Sequence, residues 1–242
     1  MMPPDRPPSR RSAVAPFIAM DVMSAAFERI ARGERIIRME IGEPGASAPK
    51  PVLDAARAAL DHGRIGYTEA LGWRPLRERI AEYYADTHGI AVPASRIAIT
   101  TGSSAGFNLA FLAAFDPGER GAIASPGYPA YRNILAALGL EVVEIETTAE
   151  TRHAITPAML ERVHAEKPLA GILVASPGNP TGTMMTPEAL AALVRAADEL
   201  GIRFISDEIY HGLVFDGVAE TALATSDRAI VINSFSKYYC MT

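Results

Sequence analysis

Several polar residues, far apart in the chain, have types that could serve one reaction. Lys237, in Ser234-Phe235-Ser236-Lys237-Tyr238-Tyr239, carries an amine able to form a Schiff base with an aldehyde. Asp207, in Asp207-Glu208-Ile209-Tyr210, emerges from an apolar run. A carboxylate there costs free energy unless a cation or a donor meets it. Asn179, in Ser176-Pro177-Gly178-Asn179-Pro180-Thr181-Gly182, and Tyr210 offer hydrogen-bond donors. Gly102-Ser103-Ser104 opens a helical pattern, whose first N–H groups and positive dipole end suit an anion. Tyr128, in Ser125-Pro126-Gly127-Tyr128, could stack on a flat ring. Each residue alone also has an ordinary reading: a capped helix, a core tyrosine, a tight turn, a solvated lysine. Together they meet the needs of a pyridoxal phosphate ring. That ring requires a lysine for its aldehyde, an acid at its pyridine nitrogen, an anion site, donors at its phenolic oxygen and an aromatic plate.

The elements that must position them follow from periodicity. Short β-branched runs at Arg96–Thr100, Gly121–Ala124, Leu140–Ile145, Ala170–Ala175, Ile202–Ser206 and Ala229–Asn233 predict six strands. Helical patterns fall between most of them. Thr156-Pro157 and Thr186-Pro187 each place a capping hydroxyl before a proline at the first helical position. Such alternation predicts an α/β fold, a mostly parallel sheet with helices on both faces. In open parallel sheets ligands bind beyond the carboxyl ends of the strands. The unusual residues gather there, so five loops are expected on one rim. Upstream, Pro16–Arg32, Pro51–Asp61 and Pro75–His88 read as helices.

Composition bounds the rest. The 242 residues carry a net charge of −5 and are 49% apolar, enough for a packed core and unsuited to nucleic acid. One cysteine, Cys240, excludes an internal disulfide and fits a reducing compartment, so a cytoplasmic protein is the expectation. No apolar run approaches the ~20 residues of a membrane span. His62, His88, His153 and His164 read as scattered surface residues with no metal-ligand spacing. Residues 1–15 read as a disordered leader, 16–48 as an arm that forms part of a small domain, and 49–242 as the large domain.

The Asn179, Asp207 and Lys237 stretches resemble the signatures of the class I/II aminotransferases, the fold-type I pyridoxal phosphate enzymes. Ile41-Gly42-Glu43-Pro44 and Tyr67-Thr68 with Gly72 are similar to the family's early segments. The resemblance runs from about Phe17 to the terminus. It implies transamination between an α-amino acid and a 2-oxo acid, with Lys237 as the Schiff-base amine and proton shuttle. Asp207 would hold the pyridine nitrogen protonated, while Asn179 and Tyr210 would bond the phenolic oxygen. Tyr128 would stack, and Gly102, Ser103, Ser104 and Ser234 would hold the phosphate. Tyr67 would reach the phosphate of a neighbouring copy in a homodimer, and Ile41, Gly42 and Asn179 would line the substrate pocket. Cis bonds at Ser125-Pro126 and Asn179-Pro180 are implied as well.

The family's next run, Gly-Trp-Arg after Cys-Met-Thr, does not follow Thr242. Nor do the later carboxylate-binding arginine, the antiparallel strand between the first and last strands here, or the carboxy-terminal small domain. The expectation is an incomplete domain with two unpaired interior strand edges, an inactive or weakly active fragment. Three alternatives stay open. One is another fold-type I reaction such as β-elimination. A second is a serine hydrolase, because Gly102-Ser103-Ser104-Ala105-Gly106 matches G-x-S-x-G and Ser104, Asp207 and His211 fill the chain order. The third is a relic without catalysis.

Overall fold

The computed structural model describes residues 7–63 and 65–241. Five strands form its sheet: β1 (Arg120–Ser125), β2 (Glu141–Glu146), β3 (Gly171–Ala175), β4 (Arg203–Asp207) and β5 (Ile230–Ile232). Their order is β2-β1-β3-β4-β5 and every pairing is parallel. All five carboxyl ends therefore share one edge.

Side chains alternate across the sheet as the two-residue period demands. Ala122, Ile172, Val174 and Phe204 face α6 (Pro157–Glu166) and α7 (Pro187–Glu199), where Leu160, Leu190, Leu193, Val194 and Ala197 are buried. Ile123, Leu173, Ile205 and Ile232 face α4 (Ser103–Ala114) and α5 (Pro129–Ala137), meeting Phe107, Phe111, Tyr131 and Leu135. Helices thus cover both faces. The caps of α6 and α7 form as the sequence indicates: the Met159 amide donates to Thr156 Oγ1 at 3.3 Å and the Ala189 amide to Thr186 Oγ1 at 3.2 Å.

One expected strand is absent. Residues 94–96 make a single 3-10 turn, and 97–100 run extended without joining a ladder. A β-branched run becomes a strand only when a neighbour supplies its hydrogen bonds. Here the Ile99 amide donates to the Leu71 carbonyl in a loop instead. The described sheet consequently ends at β2 on one side and β5 on the other, and residues 96–100 add no further strand edge.

The amino-terminal helices match expectation within two residues: α1 (Ile18–Ala31), α2 (Lys50–His62) and α3 (Arg74–His88). Of the expected leader, residues 1–6 lie outside the described residues. Residues 10–12 form one 3-10 turn, and the Ala15 carbonyl accepts from Asn133 Nδ2 at 3.0 Å. Among the described residues no helix is long and apolar enough to cross a membrane.

Candidate active site

Asp207 ends β4 and is the best-defined member of the rim. It is 2% exposed, and its Oδ1 accepts the Ile209 amide at 3.1 Å. Its Oδ2 accepts the Tyr131 hydroxyl. Burial pushes its carboxyl up to about 6, opposed by the Tyr131 and Ile209 donors. No cation pairs with it among the described residues, so it is a buried acid that lacks its counter-charge. Tyr131 is a rim residue the motifs did not single out. It sits three positions after Tyr128 at the start of α5, a spacing that sets two helical side chains on one face.

Three aromatic hydroxyls surround this acid. Tyr128 and Tyr131 stand edge to face with centroids 5.4 Å apart, and Phe17 meets Tyr128 edge-on at 5.6 Å. Tyr210 follows on the turn after β4, where its hydroxyl lies 3.4 Å from Asn179 Nδ2. Burial and then the Asp207 charge push both Tyr128 and Tyr210 up. The Asn179 loop leaves β3, whose end is paired with that of β4 through Ala175 and Asp207. The peptide bonds preceding Pro126, Pro177 and Pro180 are cis, two as expected and one in addition.

The segments expected to bind an anion reach the same rim from β5 and α4. Ile232, the pairing partner of Asp207, ends β5. Ser234 follows, its Oγ donating to Ser236 Oγ at 2.8 Å and accepting the Ser236 amide at 3.0 Å. α4 begins at Ser103 after Gly102, which has a φ of 85° and supplies no side-chain cap, so the first N–H groups of the helix are left available. Gly106 of α4 packs on the end of β5, where a Cβ would lie in ordinary van der Waals contact with Ile232 Cδ1 at 3.4 Å. This set fits a pyridoxal phosphate: a buried acid for a ring cation, amide and phenol donors together, and hydroxyls beside a helix start.

Lys237 is half-buried in the turn after β5. Its turn docks on that of Tyr210: Gly212 has a φ of 93°, and a Cβ there would fall 2.6 Å from the Tyr238 ring. The chain has three lysines. Lys50 pairs with Asp54 and Lys167 with Glu141, whereas Lys237 has no hydrogen bond or ion pair from its side chain among the described residues.

Ile41 is half-buried, Gly42 exposed and Tyr67 fully exposed. Among the described residues no hydrogen bond joins any of them to the Asp207 group. The serine-hydrolase reading fails on geometry. His211 Nε2 lies 3.2 Å from the Ser176 carbonyl and its Nδ1 faces Glu208, while Asp207 is engaged by Tyr131 and Ile209. No hydrogen bond links Ser104, Asp207 and His211 among the described residues. Of the histidines read as surface residues, His88 is corrected. His88 is buried against Tyr84 and His211, because α3 turns that edge inward. His164 Nδ1 accepts the Leu169 amide at 3.2 Å and so ties the end of α6 to the chain entering β3.

The chain matches the family model described as aminotransferase class I and II over residues 34–242. It is 53% identical over 234 residues to a valine–pyruvate aminotransferase of Mycobacterium tuberculosis, covering 96% of this chain and 60% of that one. It is 33% identical to an aspartate/prephenate aminotransferase of Thermus thermophilus, covering 97% and 61%. A crystal structure of an aminotransferase from M. tuberculosis superposes with a TM-score of 0.93 at 51% identity, over 98% of this chain and 61% of that one. The chain therefore spans about 60% of the length of the curated relatives it matches.

Proposed function

The chain belongs to the class I and II aminotransferase family, and on that premise we propose that it binds pyridoxal 5′-phosphate and serves amino-group transfer between an α-amino acid and a 2-oxo acid. The observation that carries this reading is Asp207: a buried carboxyl raised to about 6, with two donors and no cation among the described residues. A protonated pyridine nitrogen is the charge it lacks. When bound, the cofactor supplies an aldehyde for a lysine amine and a ring that accepts electron density from the substrate Cα.

The chain's own residues divide the remaining work. Asp207 keeps the proton on the ring nitrogen. Asn179 and Tyr210 donate to the phenolic oxygen, and Tyr128 lies against the ring face. The amides after Gly102, with the hydroxyls of Ser103, Ser104 and Ser234, hold the phosphate. Lys237 Nζ would be the amine that holds the cofactor through its aldehyde and would serve as the base for the Cα proton. Ile41, Gly42 and Asn179 orient the substrate. Tyr67 reaches the phosphate of a second copy in a homodimer. Residues 16–48 act as the arm and 49–242 as the cofactor-binding domain. The similarity to a valine–pyruvate aminotransferase makes valine and pyruvate the first substrate pair to test.

Incubation with pyridoxal phosphate, borohydride reduction and peptide mapping tests the reading. The label is expected on Lys237 and lost in Lys237→Ala. Labelling confined to Lys50 or Lys167, or persisting in that variant, overturns it. Ammonia release from an amino acid without a 2-oxo acid acceptor would point to elimination rather than transfer.

A further inference from the structure

Behind the rim lies a second polar cluster that the proposed chemistry does not use. Glu208 is 1% exposed and His211 5% exposed. Glu208 Oε1 accepts three donors: Ser206 Oγ at 2.9 Å, Thr221 Oγ1 at 3.1 Å and the Ala222 amide at 2.9 Å. Its Oε2 has no hydrogen-bond partner, and neither has His211 Nδ1. These two buried atoms face each other at 3.7 Å, too close to seat a water between them.

The Ser176 carbonyl determines the tautomer. It can only accept, so His211 Nε2, at 3.2 Å, is the N–H nitrogen. A neutral imidazole then presents a lone pair at Nδ1 toward a carboxylate oxygen, two acceptors opposed in a dry site. A proton on one of them turns two opposed acceptors into a donor facing an acceptor, at a separation longer than a hydrogen bond. We infer that Glu208 and His211 share a single proton between Oε2 and Nδ1, and that this buried, net-neutral pair clamps the Tyr210 turn against the Asn179 loop. Burial pushes Glu208 up to about 7 and His211 down to about 4, which places the proton on the acid.

The surrounding groups leave that proton in place. From α3, His88 stands 5.9 Å from the His211 ring, with its Nδ1 3.6 Å from Glu220 Oε1, and burial favours its neutral form. Tyr83 and Tyr84 on α3 and Asp207 on β4 are the other titratable groups that act on Glu208, and none is a cation. The clamp joins three exits from the sheet. The Glu208 amide donates to the Ile232 carbonyl of β5, His211 reaches the Ser176 carbonyl after β3, and Tyr210 lies between the two anchors. Glu208 and His211 are thus positioning residues for the Asn179–Tyr210 contact.

Ring-nitrogen NMR of the chain labelled with 15N-histidine tests the pair without any cofactor. His211 is expected as the Nε2–H tautomer, with an Nδ1 resonance that moves as pH crosses about 7, where Glu208 ionises. In Glu208→Gln, whose carboxamide supplies a permanent donor, the tautomer stays and the movement vanishes. An Nδ1–H tautomer, or the same pH response in both proteins, overturns the shared proton. For the clamp, the Asn179 side-chain amide resonance should shift in Glu208→Ala and hold in Glu208→Gln. If Glu208→Ala does not fold, His211→Asn gives the same reading. An unchanged Asn179 resonance in a folded variant of either kind overturns the positioning role.

The bearing on catalysis rests on the function proposed above. There, Glu208→Ala is expected to weaken pyridoxal phosphate binding roughly tenfold, the loss expected from orphaning a buried hydrogen-bonding group. Absent labelling of Lys237 beside an intact proton signature overturns the functional reading and leaves the pair standing.

Discussion

The rim of the sheet and the segment around α2 are built on opposite terms. At the rim, contacts join residues far apart in sequence: Tyr131 to Asp207, Asn179 to Tyr210 and His211 to Ser176, separated by 76, 31 and 35 residues. α2 has no buried residue. Its polar contacts are local, Lys50 and Arg57 both pairing with Asp54, and Leu53 and Leu60 stand exposed. Ile41, Gly42 and Tyr67 belong to this second region. The rim residues proposed for the cofactor are therefore placed by the chain's own core. Ile41 and Gly42, proposed for substrate, and Tyr67, proposed for a neighbouring copy, form no hydrogen bond with the Asp207 group among the described residues, whereas Asn179, also proposed for substrate, belongs to the rim.

The largest expected break in this contrast is Asp207→Asn. It removes the charge that a pyridinium would meet, and pyridoxal phosphate affinity should fall by roughly 100-fold or more. The cofactor-free chain should instead become more stable above about pH 6, since a buried carboxylate without a cation is removed. Unchanged affinity on titration would separate Asp207 from the cofactor.

The pH dependence of the unliganded chain comes next. Asp207 and Glu208 have raised values, so the folded state holds their protons more tightly than the unfolded state does. Their contribution to stability is complete at low pH and is lost as pH rises through about 6 and about 7. Each is worth on the order of 3 kcal/mol across its window. His211, lowered to about 4, acts in the opposite sense, its contribution being lost as pH falls from 6.5 toward that value. Two losses against one gain predict a net decline in urea midpoint from about pH 4.5 to 7. The Asp207 part should disappear in Asp207→Asn and when pyridoxal phosphate is bound.

A smaller effect is expected from Tyr131→Phe. It leaves the buried Asp207 oxygen without its phenol donor and should cost about 2 kcal/mol in urea unfolding. A loss below about 0.5 kcal/mol would show that solvent replaces the hydroxyl and that the rim is wet. The smallest effect belongs to α2: Leu60→Ser should change stability by less than about 0.5 kcal/mol. A loss above about 1 kcal/mol would place α2 against a partner surface in solution and erase the contrast with the rim.

Local pattern was sufficient wherever a short window carries the cause. The Thr156 and Thr186 caps, the five parallel strands and the clustering of Asn179, Asp207 and Ser234 at the strand ends were all legible in sequence, because capping chemistry and side-chain alternation act over a few residues. Residues 96–100 show where that stops. Their β-branched pattern is real, but a ladder needs hydrogen-bonding partners from elsewhere in the chain, and the segment bonds to a loop instead. The same holds for Tyr131 on Asp207, His88 turned inward from α3, and Glu208 opposite His211. By itself the sequence determined which elements form and which end of the sheet collects polar side chains. Only the tertiary structure decided which polar atoms meet and which acids lose their solvent, because burial and pairing depend on surfaces that exist only once distant segments have packed.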